Sequence, residues 1–275
     1  MLHHFLLSKH EPQFTIDYVA PTQSRNFDNS AGTPNDHFTC PSSSMLDNLT
    51  NDSFTYSFWL NPDSNTTNTS KFLIAKNTRT GIPMEDYFTG FLGRMSPSNN
   101  FEFRISQQGD VDGIDDAVFK LLARTTTRNV GGSPKWQQNT WVHVIYTYDI
   151  NDKNFRIILN DIEDLPYALF EQANGFSADD SAQNLIIGAD TQSPADRGID
   201  GSLLHAALWT GVAANSAQRT AIFNNGNLHD LRLVNMSPGS NVAFWPFDNN
   251  FGAQDISENF LDGTFTGTTL VTDVP

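Results

Sequence analysis

Hydrophobic and polar positions alternate with a period of two along much of this chain, in short runs separated by polar turns. In residues 54–60, Phe54, Tyr56, Phe58 and Leu60 fall on one face of an extended segment, and Thr55, Ser57 and Trp59 on the other. Trp141-Val-His-Val-Ile-Tyr-Thr-Tyr148 and Asn154-Phe-Arg-Ile-Ile-Leu-Asn160 are two more alternating runs, and the short polar link between them predicts an antiparallel pair. Leu185-Ile-Ile-Gly188 is a brief apolar run stopped by glycine. Residues 71–76, 87–95, 101–106 and 118–125 are further predicted strands. Phe54, Phe58, Trp141, Ile157 and Ile186 are expected to share one core.

Helical spacing is confined to one place. Ala217, Ala221 and Ile222 make a stripe within residues 216–223, with Asn215 or Ser216 placed to cap it and Gly226 to end it. Residues 1–22 read as an extended N-terminal arm, punctuated by Pro12 and Pro21 around one strand-like piece, Phe14-Thr-Ile-Asp-Tyr-Val19. An arm this apolar must cover its own domain or find a partner. Docking onto another subunit, with residues 14–19 as an added strand, is the expectation.

Composition agrees with a β-rich chain. Charged residues are 17% of the 275, while Phe alone counts 21, as suits polar turns around an aromatic interior. A net charge of −15 repels phosphate backbones, so nucleic acid is not an expected partner. A lone cysteine, Cys40, allows no internal disulfide and is expected to be a small buried side chain. No stretch approaches the about 20 apolar residues of a membrane span. The apolar start, Met1-Leu-His-His-Phe-Leu-Leu7, is too short for a signal peptide and lacks a basic beginning.

Taken in order, several short motifs resemble the laminin-G-like branch of the concanavalin-A-like sandwiches. They are Asn26-Phe-Asp-Asn29, Asn35-Asp-His-Phe-Thr39, Phe54-Thr-Tyr-Ser-Phe-Trp59, Trp141-Val-His-Val144, the strand ending at Asn160, Ile187-Gly188 and Gly198-Ile-Asp200. The predicted helix, Val242-Ala-Phe-Trp-Pro-Phe-Asp248 and Asp262-Gly-Thr264 continue the order. Asn29 stands where the family often has glycine, and His37 where it often has an aromatic residue. The resemblance covers about residues 25–271. It implies an all-β fold, one antiparallel β-sandwich of the jelly-roll type over residues 23–275, with one short helix and the arm of residues 1–22. Such domains bind more often than they catalyse.

Candidate chemistry is sparse. Glycosidic cleavage needs two carboxylates across the bond, and the nearest approach is Asn160-Asp-Ile-Glu-Asp164, where Asp161 and Glu163 fall at the turn after a strand. Neither Phe103-Arg-Ile-Ser106 nor Val142-His-Val144 has the partners of a lyase site, and His143 reads as a strand residue. There is no zinc signature, phosphate loop or dinucleotide fingerprint. The family resemblance implies a Ca²⁺ site, with Asp36, Asp248, Asp255 and Asp262 at the matching positions. The loop aspartates Asp110, Asp112, Asp115 and Asp116 form another cluster without EF-hand spacing. A sugar site needs flat aromatic faces beside polar groups, and Tyr87, Trp136 and Trp209 lie near predicted loops.

These readings lead to a non-catalytic recognition or assembly module, located on a virion or in the extracellular space. One version is a structural part of a particle such as a phage virion, of decoration or fibre type, joined to other subunits through the arm. The absence of a recognisable signal peptide favours it, and the particle's surface would also meet cell-surface glycans. The alternatives are a secreted Ca²⁺-dependent glycan-binding adhesin and a polysaccharide hydrolase or lyase.

Overall fold

The alternating runs pair into two sheets. The computed structural model describes residues 15–29, 36–47, 49–63, 70–79, 88–96, 100–106, 119–124, 129–130, 133–134, 136–152, 154–164, 167–172, 182–189 and 197–275. In chain order the strands are β1 (Ser24–Phe27), β2 (His37–Cys40), β3 (Phe54–Pro62), β4 (Lys71–Arg79), β5 (Phe88–Met95) and β6 (Phe101–Ser106). They continue as β7 (Phe119–Arg124), β8 (Asn129–Val130), β9 (Ser133–Pro134), β10 (Val142–Asp149), β11 (Asn154–Leu159) and β12 (Ile162–Asp164). The last are β13 (Tyr167–Gln172), β14 (Leu185–Ile187), β15 (Gly201–Thr210), β16 (Ser240–Trp245), β17 (Thr264–Thr266) and β18 (Thr269–Val271). The helix α1 (Ser216–Phe223) lies between β15 and β16.

The first sheet runs β12-β11-β10-β3-β15-β1-β18, with β16 also on β15, and the second runs β13-β7-β6-β5-β4-β14-β2-β17. Among the described residues β8 and β9 form a separate two-stranded sheet. A bulge on β15, where the register shifts between Leu204 and Ala207 and His205 has φ 54°, divides that strand between two partners. Gly201 to Leu203 pair with β1, and Ala206 to Thr210 pair with β16. Such a bulge interrupts the ladder locally and bends the strand.

Between the sheets, aromatic rings interlock. Phe54 of the first sheet lies 5.6 Å from Phe103 of the second, and Phe103 is 5.0 Å from both Tyr146 and Phe155. Phe54, Phe58 and Ile157 join this core as expected, but Trp141 and Ile186 do not. Both miss by one residue of register. Val142, Val144 and Tyr146 point inward along β10, which turns Trp141 outward, and Leu185 and Ile187 point inward along β14, which turns Ile186 outward. Trp141 instead donates its indole N–H to Asp273 at 3.1 Å.

The polar face of β3 is buried too. Every residue from Phe54 to Pro62 is shielded, because a second apolar layer covers the outside of the first sheet. Ile145, Ile158, Ala207, Trp209 and Phe244 supply its sheet side, and Ile222, Leu231, Met236 and Ile256 its cover. Within it, Thr55 Oγ1 donates to the Val212 carbonyl and accepts the Ala214 N–H, each at 2.9 Å. A half-buried sheet would leave these groups to water; here each has a protein partner.

Residues 15–22 add to this layer. Ile16 and Tyr18 pack against it, so this part of the arm covers its own domain and 15–19 form no strand. The expected strand is therefore not formed within this chain at residues 15–19, and residues 1–14 lie outside the described residues. α1 begins as the sequence suggested, with Asn215 and Gln218 capping each other reciprocally. It ends earlier, at Asn224 in the left-handed region, and Gly226 closes a following 3₁₀ turn.

Candidate functional site

Two of the three expected ligand-binding aromatics are interior. Trp136 is 4% exposed and sits edge-on to Phe101 at 6.0 Å in the inter-sheet core. Trp209, 1% exposed, belongs to the outer layer. Both indoles therefore have their faces committed to packing, which corrects their assignment to a sugar surface. Tyr87 lies outside the described residues.

The four aspartates expected at a Ca²⁺ site do a different job. Asp36 Oδ2 accepts the Asp28 N–H at 2.9 Å, and burial pushes its carboxyl above the usual range. Asp248 Oδ1 accepts the N–H groups of Asn250 and Phe251 at 2.9 and 2.7 Å, closing a turn. Asp255 Oδ1 accepts from Phe244 N and Ser257 N at 2.9 Å, and its Oδ2 from Leu261 N at 3.1 Å. Asp262 Oδ1 takes the Asp255 N–H at 2.8 Å. Among the described residues no three acidic, histidine or cysteine side chains are grouped to hold a metal. The donor set does not fit Ca²⁺, which asks for six to eight converging oxygens. The aspartates at 110–116 lie outside the described residues.

The carboxylates nearest to a catalytic pattern are engaged in pairs with cations or hydroxyls. Asn160 and Asp161, at φ 50° and 63°, make the two-residue turn between β11 and β12. Asp161 accepts from Thr220 at 2.8 Å, and Glu163 binds Arg219 at 2.6 Å and Arg156 at 3.4 Å, tying that hairpin to α1. On the outer face of the second sheet, the buried Glu102 accepts from Arg94 at 2.8 Å and Arg104 at 3.1 Å. The sequence reading missed this triad, although Glu102-Phe-Arg104 places both charges on one strand face. His143 is 1% exposed, with Nε2 2.8 Å from Ser57 Oγ. Burial pushes its pKa down to about 3, and it stands inside the outer layer as a neutral strand residue. Cys40 is fully buried, its thiol pushed up to about 12 by burial.

A polar concavity opens at one end of the sandwich instead. The loop after β2, the end of β15 and the start of β16 enclose a shallow cleft of about 320 Å³. Ser44, Met45, Asp47, Asp52, Thr210 and Ser240 line it, with Leu49 and Val242 at its base. Local structure explains the shape. Asp47 is anchored by Lys76, whose fully buried ammonium reaches it at 3.1 Å, and it accepts Ser42 Oγ at 2.8 Å. Asp52 turns the chain into β3 by accepting the Ser53 N–H at 2.7 Å. Across the cleft Thr210 and Ser240 share a hydroxyl contact at 3.3 Å. None of these residues was singled out from the sequence, because they come together only through strand pairing.

Comparison with known proteins agrees with the architecture. A protein from Bacteroides ovatus named for carbohydrate binding superposes over 92% of this chain with a TM-score of 0.55 at 17% identity. The chain spans 60% of that protein's length. A heptameric SAP-like pentraxin from Limulus polyphemus also covers 92% of this chain and 96% of its own, with a TM-score of 0.50 at 9% identity. At such identities the likeness is one of fold. No curated protein is detectably similar in sequence. No helix among the described residues is long and apolar enough to cross a membrane. Residues 31–218 match the family model for the concanavalin A-like lectin/glucanases superfamily, and the chain, an antiparallel two-sheet sandwich of that design, belongs to this family.

Proposed function

We propose that the protein is a non-catalytic glycan-recognition module whose ligand occupies the cleft at the end of the sandwich. The lining of that cleft is the observation that carries the proposal. Hydroxyls of Ser44, Thr210 and Ser240 and the carboxylate of Asp52 offer the donors and acceptors a sugar's hydroxyls need, and Met45 and Val242 offer apolar contact for its C–H face. A sandwich of the lectin type, and a similar fold in a protein named for carbohydrate binding, support the same role.

The way several carboxylates are used supports binding without cleavage. Asp47 is ion-paired with Lys76, Glu163 with Arg219 and Arg156, and Glu102 with two arginines. A hydrolytic pair needs one carboxyl free to give a proton and another free to attack or activate water. Placement on a particle through a docking strand draws no support from residues 15–22, which are used by the chain's own domain.

A glycan array followed by calorimetry tests the proposal. Thr210→Val and Ser240→Ala should each weaken binding of the same glycan while the fold persists. Release of reducing ends from a bound polysaccharide, lost in Asp52→Asn, would replace recognition by hydrolysis.

A further inference from the structure

Phe260 is the most exposed large apolar side chain described, at 84%, and its backbone is in the left-handed region with φ 59°. Glu258, two residues earlier, is also left-handed at φ 71°. Bulky L-residues avoid this region because Cβ crowds the backbone, so such a conformation persists only where neighbouring bonds impose it. Here they do. Asn259 donates its amide to the carbonyls of Asn241 and Val242 at 3.0 and 2.9 Å. On the other side, Leu261 gives its N–H to Asp255 at 3.1 Å, accepts the Trp245 indole N–H at 2.7 Å, and buries its side chain in the core. The ring between these anchors is held out into water and contributes little to packing.

The loop is tied to the strand that builds the cleft. Val242, whose carbonyl Asn259 holds, lines that cleft two residues beyond Ser240. The residues flanking Phe260 toward its N-terminal side are Ser257, Glu258 and Asn259. An aromatic face preceded by polar residues suits the apolar face of a pyranose ring. The charges select further: with Asp47 paired to Lys76, Asp52 is the carboxylate of the cleft lining that no cation offsets, and the chain carries −15 overall. Uronate or sulfated sugars would be repelled.

Building on the glycan reading above, we infer that Phe260, on the loop bonded to the strand that lines the cleft, is a preset stacking platform for a ligand that extends beyond it, and that the ligand is an uncharged or amino-bearing oligosaccharide.

Calorimetry with hexasaccharides of cellulose, xylan, mannan, chitin, chitosan and polygalacturonate tests this on the full chain. Wild type should bind at least one neutral or amino-bearing hexamer, more tightly than the galacturonate. Phe260→Ala and Phe260→Gly should raise its Kd about three- to tenfold, and Phe260→Trp should keep or improve it. Phe260→Gly should leave the thermal midpoint unchanged or higher, since glycine tolerates the left-handed backbone. Equal Kd values for wild type and Phe260→Ala, or a fall in midpoint matching the loss of affinity, overturn the platform while leaving the cleft reading intact. Tightest binding to galacturonate overturns the ligand class. Binding of none of the six by the wild type overturns both this inference and the proposed function.

Discussion

The Tyr18 hydroxyl lies 3.0 Å from Nε2 of His205, joining the N-terminal segment to the bulge of β15. Both rings also meet Phe244, Tyr18 stacked on it at 6.2 Å and His205 edge-on at 5.1 Å. Thr15 to Glu258 at 2.8 Å and Thr22 to Asn249 at 3.3 Å fasten the segment on either side. Residues 15–22 thus complete the outer layer of the first sheet.

Tyr18→Ala should lower unfolding stability by about 1–3 kcal/mol, the scale of burying one large side chain. Deletion of residues 1–22 should cost more, as Ile16 leaves with it. Urea midpoints measure both, and an unchanged midpoint on deletion would return the arm to a docking role.

Burial pushes the imidazoles of His143 and His205 down to about 3, with His229 adding to the effect. The ordinary value in an unfolded chain is about 6.5, so the unfolded state takes up protons first as pH falls. The stability contributed by these neutral rings is complete above about pH 6.5 and is lost on the way down toward pH 3. At pH 5 the loss amounts to about 2 kcal/mol for each ring. Urea unfolding between pH 8 and pH 5 should show this slope, and His205→Asn should be less pH-sensitive than wild type. Identical slopes for the two would mean that His205 is not buried neutral.

Phe58→Ala should cost about 3–5 kcal/mol, because Phe58 is 1% exposed and lies 5.9 Å from the Tyr146 ring in the inter-sheet core. Trp141→Ala, outside that core, should cost clearly less. Thermal or urea denaturation that ranks the two in the opposite order would contradict the register of β10.

Gly188, at φ +89°, sits where an added Cβ would meet the Phe27 ring at 2.6 Å. Gly188→Ala should destabilise by about 1–3 kcal/mol through backbone strain and overpacking together. A stability within error of wild type would show that the turn after β14 tolerates a side chain.

Glycan binding should survive EDTA, since Asp255 uses both carboxylate oxygens on backbone N–H groups and Asp248 closes a turn. Calorimetry with and without chelator checks it. Loss of binding that Ca²⁺ alone restores would point to ligands outside the described residues.

Much of the sandwich was legible as alternation. Residues 54–60, 101–106 and 154–159 all became strands, because a period of two is a local property that any partner strand preserves. The start of α1 was equally local: Asn215, one of the two expected caps, takes that place, and its exchange with Gln218 completes it. Asn29 shows how a departure from the family pattern can be structural. Its amide bonds the backbone of Asp36 and Ile199, stitching the segments around β1, β2 and β15 together.

What the sequence by itself determined is therefore the class of fold, many of its strands in chain order, and a net charge of −15. Register, and everything that depends on it, was decided in three dimensions. One step of pairing moved Trp141 and Ile186 out of the core, and the second apolar layer buried Trp209, His143 and the polar face of β3. The cleft draws Asp52, Thr210 and Ser240 from segments far apart in the chain, and Phe260 is displayed only because Asp255, Asn259 and Leu261 hold its loop. Side-chain period is written in neighbouring residues, whereas convergence on a site depends on which strands pair and which turns their hydrogen bonds lock.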